Sequence, residues 1–162
     1  MGVKTSFKDT AVGMVPVDWE VKPLKGRILI LHGFPFESRF FSSRGRYALA
    51  TPGHFHEEGG FRDIGEKQKY YVGPVPPEYV FCAGDLMVAM TEQAEGLLGS
   101  AAVIPSGLDY LHNQRLGKVS ILSKEVHRDY LLRVFNSASY RTKVRETAAG
   151  TKVKHTSPEK LL

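Results

Sequence analysis

The chain predicts a mixed α/β (α+β) fold: one compact domain with a twisted, mostly antiparallel sheet, long loops and short helices at its C-terminal end. Three observations carry this expectation. Short apolar runs bounded by glycine, proline and polar turn residues recur between residues 27 and 122, the pattern of strands joined by turns. After Val126 the apolar spacing becomes helical, through Tyr130, Leu131, Val134, Phe135 and Ala138. Two polar, glycine-bearing stretches, 33–46 and 51–69, are longer than ordinary connections, and loops of that length tend to carry function.

Each element has its own argument. Residues 1–13 are polar and read as an N-terminal arm, with the domain running over 14–162. Pro16 imposes an extended entry, and the alternation of Trp19 and Val21 reads as a short strand, with Trp19 as a core anchor. Arg27–Leu31 is a dense apolar run that fits a buried strand or a short buried helix. Tyr47–Ala50 is the next strand. Further strands fall near 70–72 and 79–82, before the Gly84-Asp85 turn. Leu86–Met90, Ala101–Ile104 and Leu116–Leu122 follow, with 91–99 a loop and 105–114 a turn back. Ser123 or a neighbour caps the first helix, with Glu125 in its first turn. A second helix over about 139–148 carries Arg141, Lys143 and Arg145 and stops at Gly150. Ser157-Pro158-Glu159-Lys160-Leu161-Leu162 is apolar at its last two positions, with no stabilising helix expected after them.

Composition limits the function. At 162 residues, 42% hydrophobic and 24% charged, this is one ordinary globular domain. The single cysteine, Cys82, rules out an internal disulfide and lies in an apolar run where a buried residue is expected. No apolar stretch reaches the ~18 residues of a membrane span. The N-terminus lacks a signal-peptide pattern, so the expected location is the cytoplasm. The net charge of +5 permits a polyanionic partner. That charge is concentrated: 81–110 has no Lys or Arg, whereas 111–162 has eleven against four acids. The basic segment closes on Gly150-Thr151-Lys152-Val153-Lys154-His155-Thr156-Ser157, a run of donors without a catalytic set beside it.

Catalytic motifs are missing. There is no Gly-x-Ser-x-Gly elbow, no phosphate-binding Gly-x4-Gly-Lys-[Ser/Thr] loop and no Asp/Asn-Pro-Pro-Tyr/Phe methyltransferase signature. His54 and His56 have the spacing of a metal pair on a strand, but a third ligand is lacking, so they read as a solvated loop or as donors to bases or phosphates. The candidate DNA contacts are Arg39, Arg44 and Arg46 from the first long loop and His54, His56, Lys67 and Lys69 from the second. Gln93 comes from the 91–99 loop, Gln114 and Arg115 from the 112–115 group, and Lys152, Lys154 and His155 from the basic end. Gln93 sits with Glu92 and Glu95, side chains suited to adenine and to cytosine N4, or to local turn capping. The group His112-Asn113-Gln114-Arg115 reads as a polar network pinning a loop, or as a DNA contact.

Taken in order, several segments resemble a target recognition domain of a type I restriction-modification specificity (S) subunit. They are Val12-Gly13-Met14-Val15-Pro16-Val17-Asp18-Trp19-Glu20-Val21, Gly33-Phe34-Pro35-Phe36-Glu37-Ser38 and Ala83-Gly84-Asp85-Leu86-Met87-Val88-Ala89-Met90. Asn113-Gln114-Arg115-Leu116-Gly117 and the Gly150–Ser157 run complete the set. The resemblance implies a non-catalytic domain that reads half of a split double-stranded DNA target. In that family two such domains are separated by long helices, which set the spacing between half-sites and hold two DNA methyltransferase (M) subunits, and restriction (R) subunits then join. S-adenosylmethionine, ATP and Mg belong to the partners, so no cofactor or metal is expected here. The sequence stops where the first spacer helix begins in that family, so spacer and second domain are expected to be absent. The alternative is a truncated module that docks on the methyltransferase or another protein without DNA, with the cluster Phe34, Phe36, Phe40 and Phe41 as either its surface or simply core.

Overall fold

Among the described residues ten short strands precede two helices. They are β1 (Phe7–Lys8), β2 (Val15–Pro16), β3 (Ile28–His32), β4 (Phe41–Ser42), β5 (Tyr47–Ala50), β6 (Tyr70–Tyr71), β7 (Leu86–Ala89), β8 (Ala101–Val103), β9 (Asp109–His112) and β10 (Leu116–Ile121). Helices α1 (Arg128–Phe135) and α2 (Ala138–Thr147) follow. The computed structural model describes residues 6–151 and 153–162.

Two four-stranded sheets stack on each other, with the helices outside the first. The first sheet runs β3-β10-β7-β8 and is antiparallel throughout. The second runs β4-β6-β5-β9, antiparallel except for β5 with β9. Side-chain alternation builds the layers. Leu86 and Val88 of β7 face Leu131, Phe135 and Val144 of the helices, while Met87 and Ala89 face Ala48, Ala50 and Tyr110 of the second sheet. A strand covered on both sides is apolar without a break, as Leu86–Ala89 is. Beyond the second sheet, Phe36, Leu49, Tyr71 and Leu111 form a third cluster, against which Phe34, Phe40 and Phe41 pack. Of the four phenylalanines that read as a docking surface or as core, Phe36 is buried and Phe34, Phe40 and Phe41 are half-buried against this cluster.

The mixed α+β class and the helical C-terminal part agree with the sequence reading, and Arg27–Leu31 resolves as a strand. Other elements differ. Residues 105–114 are not merely a turn: they hold β9, whose partner β5 is parallel and lies about 60 residues earlier, so no local pattern announces it. The expected strand at 79–82 is a 3-10 turn, Pro77–Tyr79, with one bridge from Val80 to Leu111. Trp19 is 58% exposed and anchors nothing in the core. The only strand in 14–24 is β2, and it pairs with β1 from the expected arm. Cys82 is exposed, because its apolar neighbours Val80 and Phe81 are used by the second sheet and Cys82 begins the turn at Asp85, which accepts its N–H. α1 starts after His127, not at Ser123, whose hydroxyl accepts the Glu125 N–H in the preceding turn; Asp129 occupies the first turn. The end of the chain also folds inward: Pro158–Leu161 is a 3-10 turn with Leu161 buried, its carbonyl accepting the Tyr140 hydroxyl at 2.7 Å.

Candidate nucleic-acid interface

Four segments distant in sequence lie side by side at one end of the two sheets. The Phe34 N–H donates to His112 O at 2.8 Å, and Gln114 N–H returns to Phe34 O at 3.1 Å. Gly33 permits this approach, since a Cβ there would overlap the Asn113 carbonyl. On the other side, Met90 N–H donates to Arg115 O at 2.9 Å, Thr156 N–H to Met90 O at 3.0 Å, and Glu92 N–H to Lys154 O at 2.9 Å. The β9–β10 turn, the end of β7 and the basic C-terminal segment thus form one continuous backbone surface.

Within the turn the two readings of His112-Asn113-Gln114-Arg115 divide by residue. His112 is buried and donates from Nε2 to Leu116 O at 2.9 Å; burial pushes its pKa down to about 4, so it is neutral. Asn113 Oδ1 accepts the Arg115 N–H at 3.1 Å. These two hold the turn. Gln114 and Arg115 stand exposed at its tip.

The tip overlooks a concavity of about 330 Å³. Phe36, Phe41, Leu49 and Ile64 contribute its apolar lining; Lys67, Lys69, Gln93, Asn113, Gln114 and Arg115 supply its polar one. No carboxylate lines it. Five sequence candidates therefore meet here, from three loops. Lys67, Lys69 and Arg115 form no ion pair with any described residue, and neither do Arg44 and Lys154, which lie outside the lining. Lys69 Nζ lies 5.9 Å from the centre of the Phe41 ring. Phe41, Tyr71 and Tyr47 share one level of the second sheet, and Ser42, Tyr70 and Ala48 the next. The end of β4 at Ser42 and the entry to β6 from Lys69 consequently lie at the same end, and residues 43–46 cross back over β6, with Gly45 against Tyr70 and Val72.

Other candidates are placed elsewhere. Arg46 pairs with Asp109 at 3.1 Å and Arg39 with Glu37 at 2.9 Å, both towards the opposite end of that sheet. His54 is a correction: it is fully buried, accepts the Thr51 N–H at Nδ1 (3.1 Å), and bonds Gln68 Oε1 through Nε2 at 2.7 Å. Burial lowers its pKa, so a neutral ring satisfies the network, and it is neither solvated nor free to donate to DNA. Gln68, which the sequence did not single out, passes this order on by donating to Lys69 O at 2.6 Å and Leu49 O at 3.2 Å. His56 is exposed but lies outside the concavity. His155 is exposed, with Nδ1 3.2 Å from the Thr91 hydroxyl. Lys152 lies outside the described residues. In the 91–99 loop, Glu92 is not free to read a base: it accepts the Gly96 N–H at 3.0 Å and pairs with Arg145 at 3.5 Å.

Among the described residues no cluster of three or more His, Cys, Asp and Glu is placed to hold a metal ion. No described helix is long and apolar enough to cross a membrane.

The fold that carries this concavity, two stacked sheets with short helices outside the first, is similar to part of the specificity (S) subunits of type I restriction-modification systems. The S subunit of a type I restriction-modification system from M. genitalium matches 99% of this chain with a TM-score of 0.56 at 10% identity. A chain from a study of complex assembly and conformational transition of the type I R-M system matches 90% with a TM-score of 0.57 at 13% identity. In both cases this chain spans 34% of the matched one, about a third of its length. At such identities the likeness is one of fold. No protein-family model matches the sequence, and neither does any curated protein.

Proposed function

We propose that this chain binds double-stranded DNA and reads a short sequence in it, as the specificity component of a type I restriction-modification system. The observation that carries the proposal is the concavity itself. Lys67, Lys69 and Arg115 surround exposed amides of Gln93 and Gln114 with no carboxylate in the lining. Cations of this kind suit phosphates and guanine, and amides suit adenine, in the major groove where all four base pairs differ. The chain performs no chemistry in this reading. A DNA methyltransferase subunit would methylate at the site selected and a restriction subunit would cleave, bringing S-adenosylmethionine, ATP and Mg with them. A protein-docking module without DNA binding has less to rest on, because Phe36 is buried and Phe34, Phe40 and Phe41 each pack against the third cluster, which leaves only part of each ring accessible.

The test is selection from a randomised duplex library at two salt concentrations, followed by sequencing of the bound pool. The expected result is an enriched motif of a few base pairs with salt-sensitive affinity. Absence of enrichment both for the chain alone and with a methyltransferase subunit present would overturn the proposal.

A further inference from the structure

The 91–99 loop is fixed on both flanks and free only at its tip. Thr91 bridges His155, and Glu92 is held by Lys154 O, Gly96 N–H and Arg145. At the other flank the half-buried Arg141 of α2 spends its guanidinium on backbone carbonyls. Nε donates to Leu98 O at 2.8 Å, Nη1 to Glu57 O at 3.1 Å, and Nη2 to Gly96 O. It forms no ion pair with a described carboxylate. One planar fork of donors therefore fixes the spacing of two loops, 51–69 and 91–99, a task the point charge of a lysine does not perform. The loops touch where the fork closes: Gly96 has φ +89°, and a Cβ there would lie 2.5 Å from Glu57 Oε1. What remains exposed between the flanks is Gln93-Ala94-Glu95.

We infer that Arg141 is a positioning residue for this tip, setting which base pair Gln93 selects without contributing to phosphate binding. The inference rests on the DNA-reading proposal. Direct readout needs side chains held to roughly half an ångström, whereas charge attraction tolerates movement. Lys67, Lys69, Arg115 and Lys154 do not depend on the Arg141 fork for their charge. Loosening the tip should accordingly lower discrimination at one or two base pairs and leave the salt dependence alone.

The experiment uses the full chain with Arg141→Met, which keeps an apolar stem and loses the donors, Arg141→Lys, Gln93→Ala and the Gln93→Ala/Arg141→Met double variant. Library selection, salt titration and amide hydrogen exchange are measured on each. The expected result for Arg141→Met is a loss of preference on the order of tenfold, at the base pairs that Gln93→Ala relaxes. The salt slope should be unchanged, with faster exchange confined to 92–99 and the contacting part of 51–69. Arg141→Lys should recover part of the preference, and the double variant should discriminate no worse than Gln93→Ala alone, since the residues act through one contact. Undiminished preference in Arg141→Met overturns the inference. So does a loss spread over the whole motif with protection falling across both sheets, which would make Arg141 simply structural. If the wild-type chain selects no motif either alone or with a methyltransferase subunit present, the DNA-reading proposal itself fails and takes this inference with it.

Discussion

The second sheet treats charge differently at its two ends. Where β5 and β9 begin, Arg46 is matched to Asp109, and Arg39, just before β4, is matched to Glu37. Where those strands finish, Lys69 and Arg115 have no acidic partner among the described residues and lie with Lys67 around a concavity free of carboxylates. In sequence all five are basic residues in or beside polar loops. The fold separates them: one end closes its charges internally, and the other leaves them available to a polyanion. A basic balance of +5 says nothing about where binding occurs until this partition is made.

The largest effect expected from attacking the open end is on stability. His112 supports the Gln114-Arg115 tip in neutral form, with a pKa of about 4 against an ordinary 6.5. Between those values the unfolded chain binds a proton that the native chain refuses. Stability from this site is therefore complete above pH 6.5 and falls as pH drops towards 4, by about 3 kcal/mol in all. Buried His54, also shifted down, adds in the same direction. Urea unfolding at pH 7.5, 5.5 and 4.5 measures the loss, and His112→Gln should flatten the dependence. A midpoint that does not move with pH would remove His112 from this role.

Next in size is discrimination at the open end. Gln93→Ala should relax base preference by about 1–3 kcal/mol at one position with little change elsewhere. Arg115→Ala, if its guanidinium meets guanine, should do the same at a different position. Library selection separates the two. A uniform loss over all sequences would mean that both contact phosphate only.

Part of this comparison was legible in the sequence. The runs Tyr47–Ala50, Leu86–Ala89 and Leu116–Ile121 announce themselves because each is apolar, short and bounded by turns. The residues of the concavity were named too, since cations and amides in long loops are easily seen. What was not legible is long-range pairing. β9 joins β5 in parallel across about 60 residues, and that pairing delivers Arg115 to one end and Asp109, with Arg46, to the other. The sequence therefore reads Arg46 as a DNA contact outright and Arg115 as part of a polar network or a DNA contact. His54 was misread for a related reason: its hydrogen-bond partner Gln68 arrives from 14 residues later, which turns an apparently solvated loop histidine into a buried one. Trp19 failed the other way, as hydrophobicity alone assigns it to a core that the first sheet completes without it.

The smallest effects give the cleanest test of the two-ended view. Lys67→Ala, Lys69→Ala and Lys154→Ala each remove a cation without an acidic partner among the described residues. If each contacts one phosphate, the slope of log affinity against log salt should become shallower by about 0.9 per substitution. Arg44→Ala should behave likewise if Arg44, which also has no acidic partner among the described residues, meets a phosphate. Arg46→Ala and Arg39→Ala remove the same charge from the chain, so a binding surface governed by net charge alone would weaken equally in all six variants. The structure predicts otherwise. In Arg46→Ala the freed Asp109 stands at the remote end of β9, and neither slope nor sequence preference should change. Salt titrations on a fixed duplex decide the matter, and an Arg46→Ala slope as shallow as that of Lys69→Ala would mean that DNA spans the whole sheet and not its open end alone.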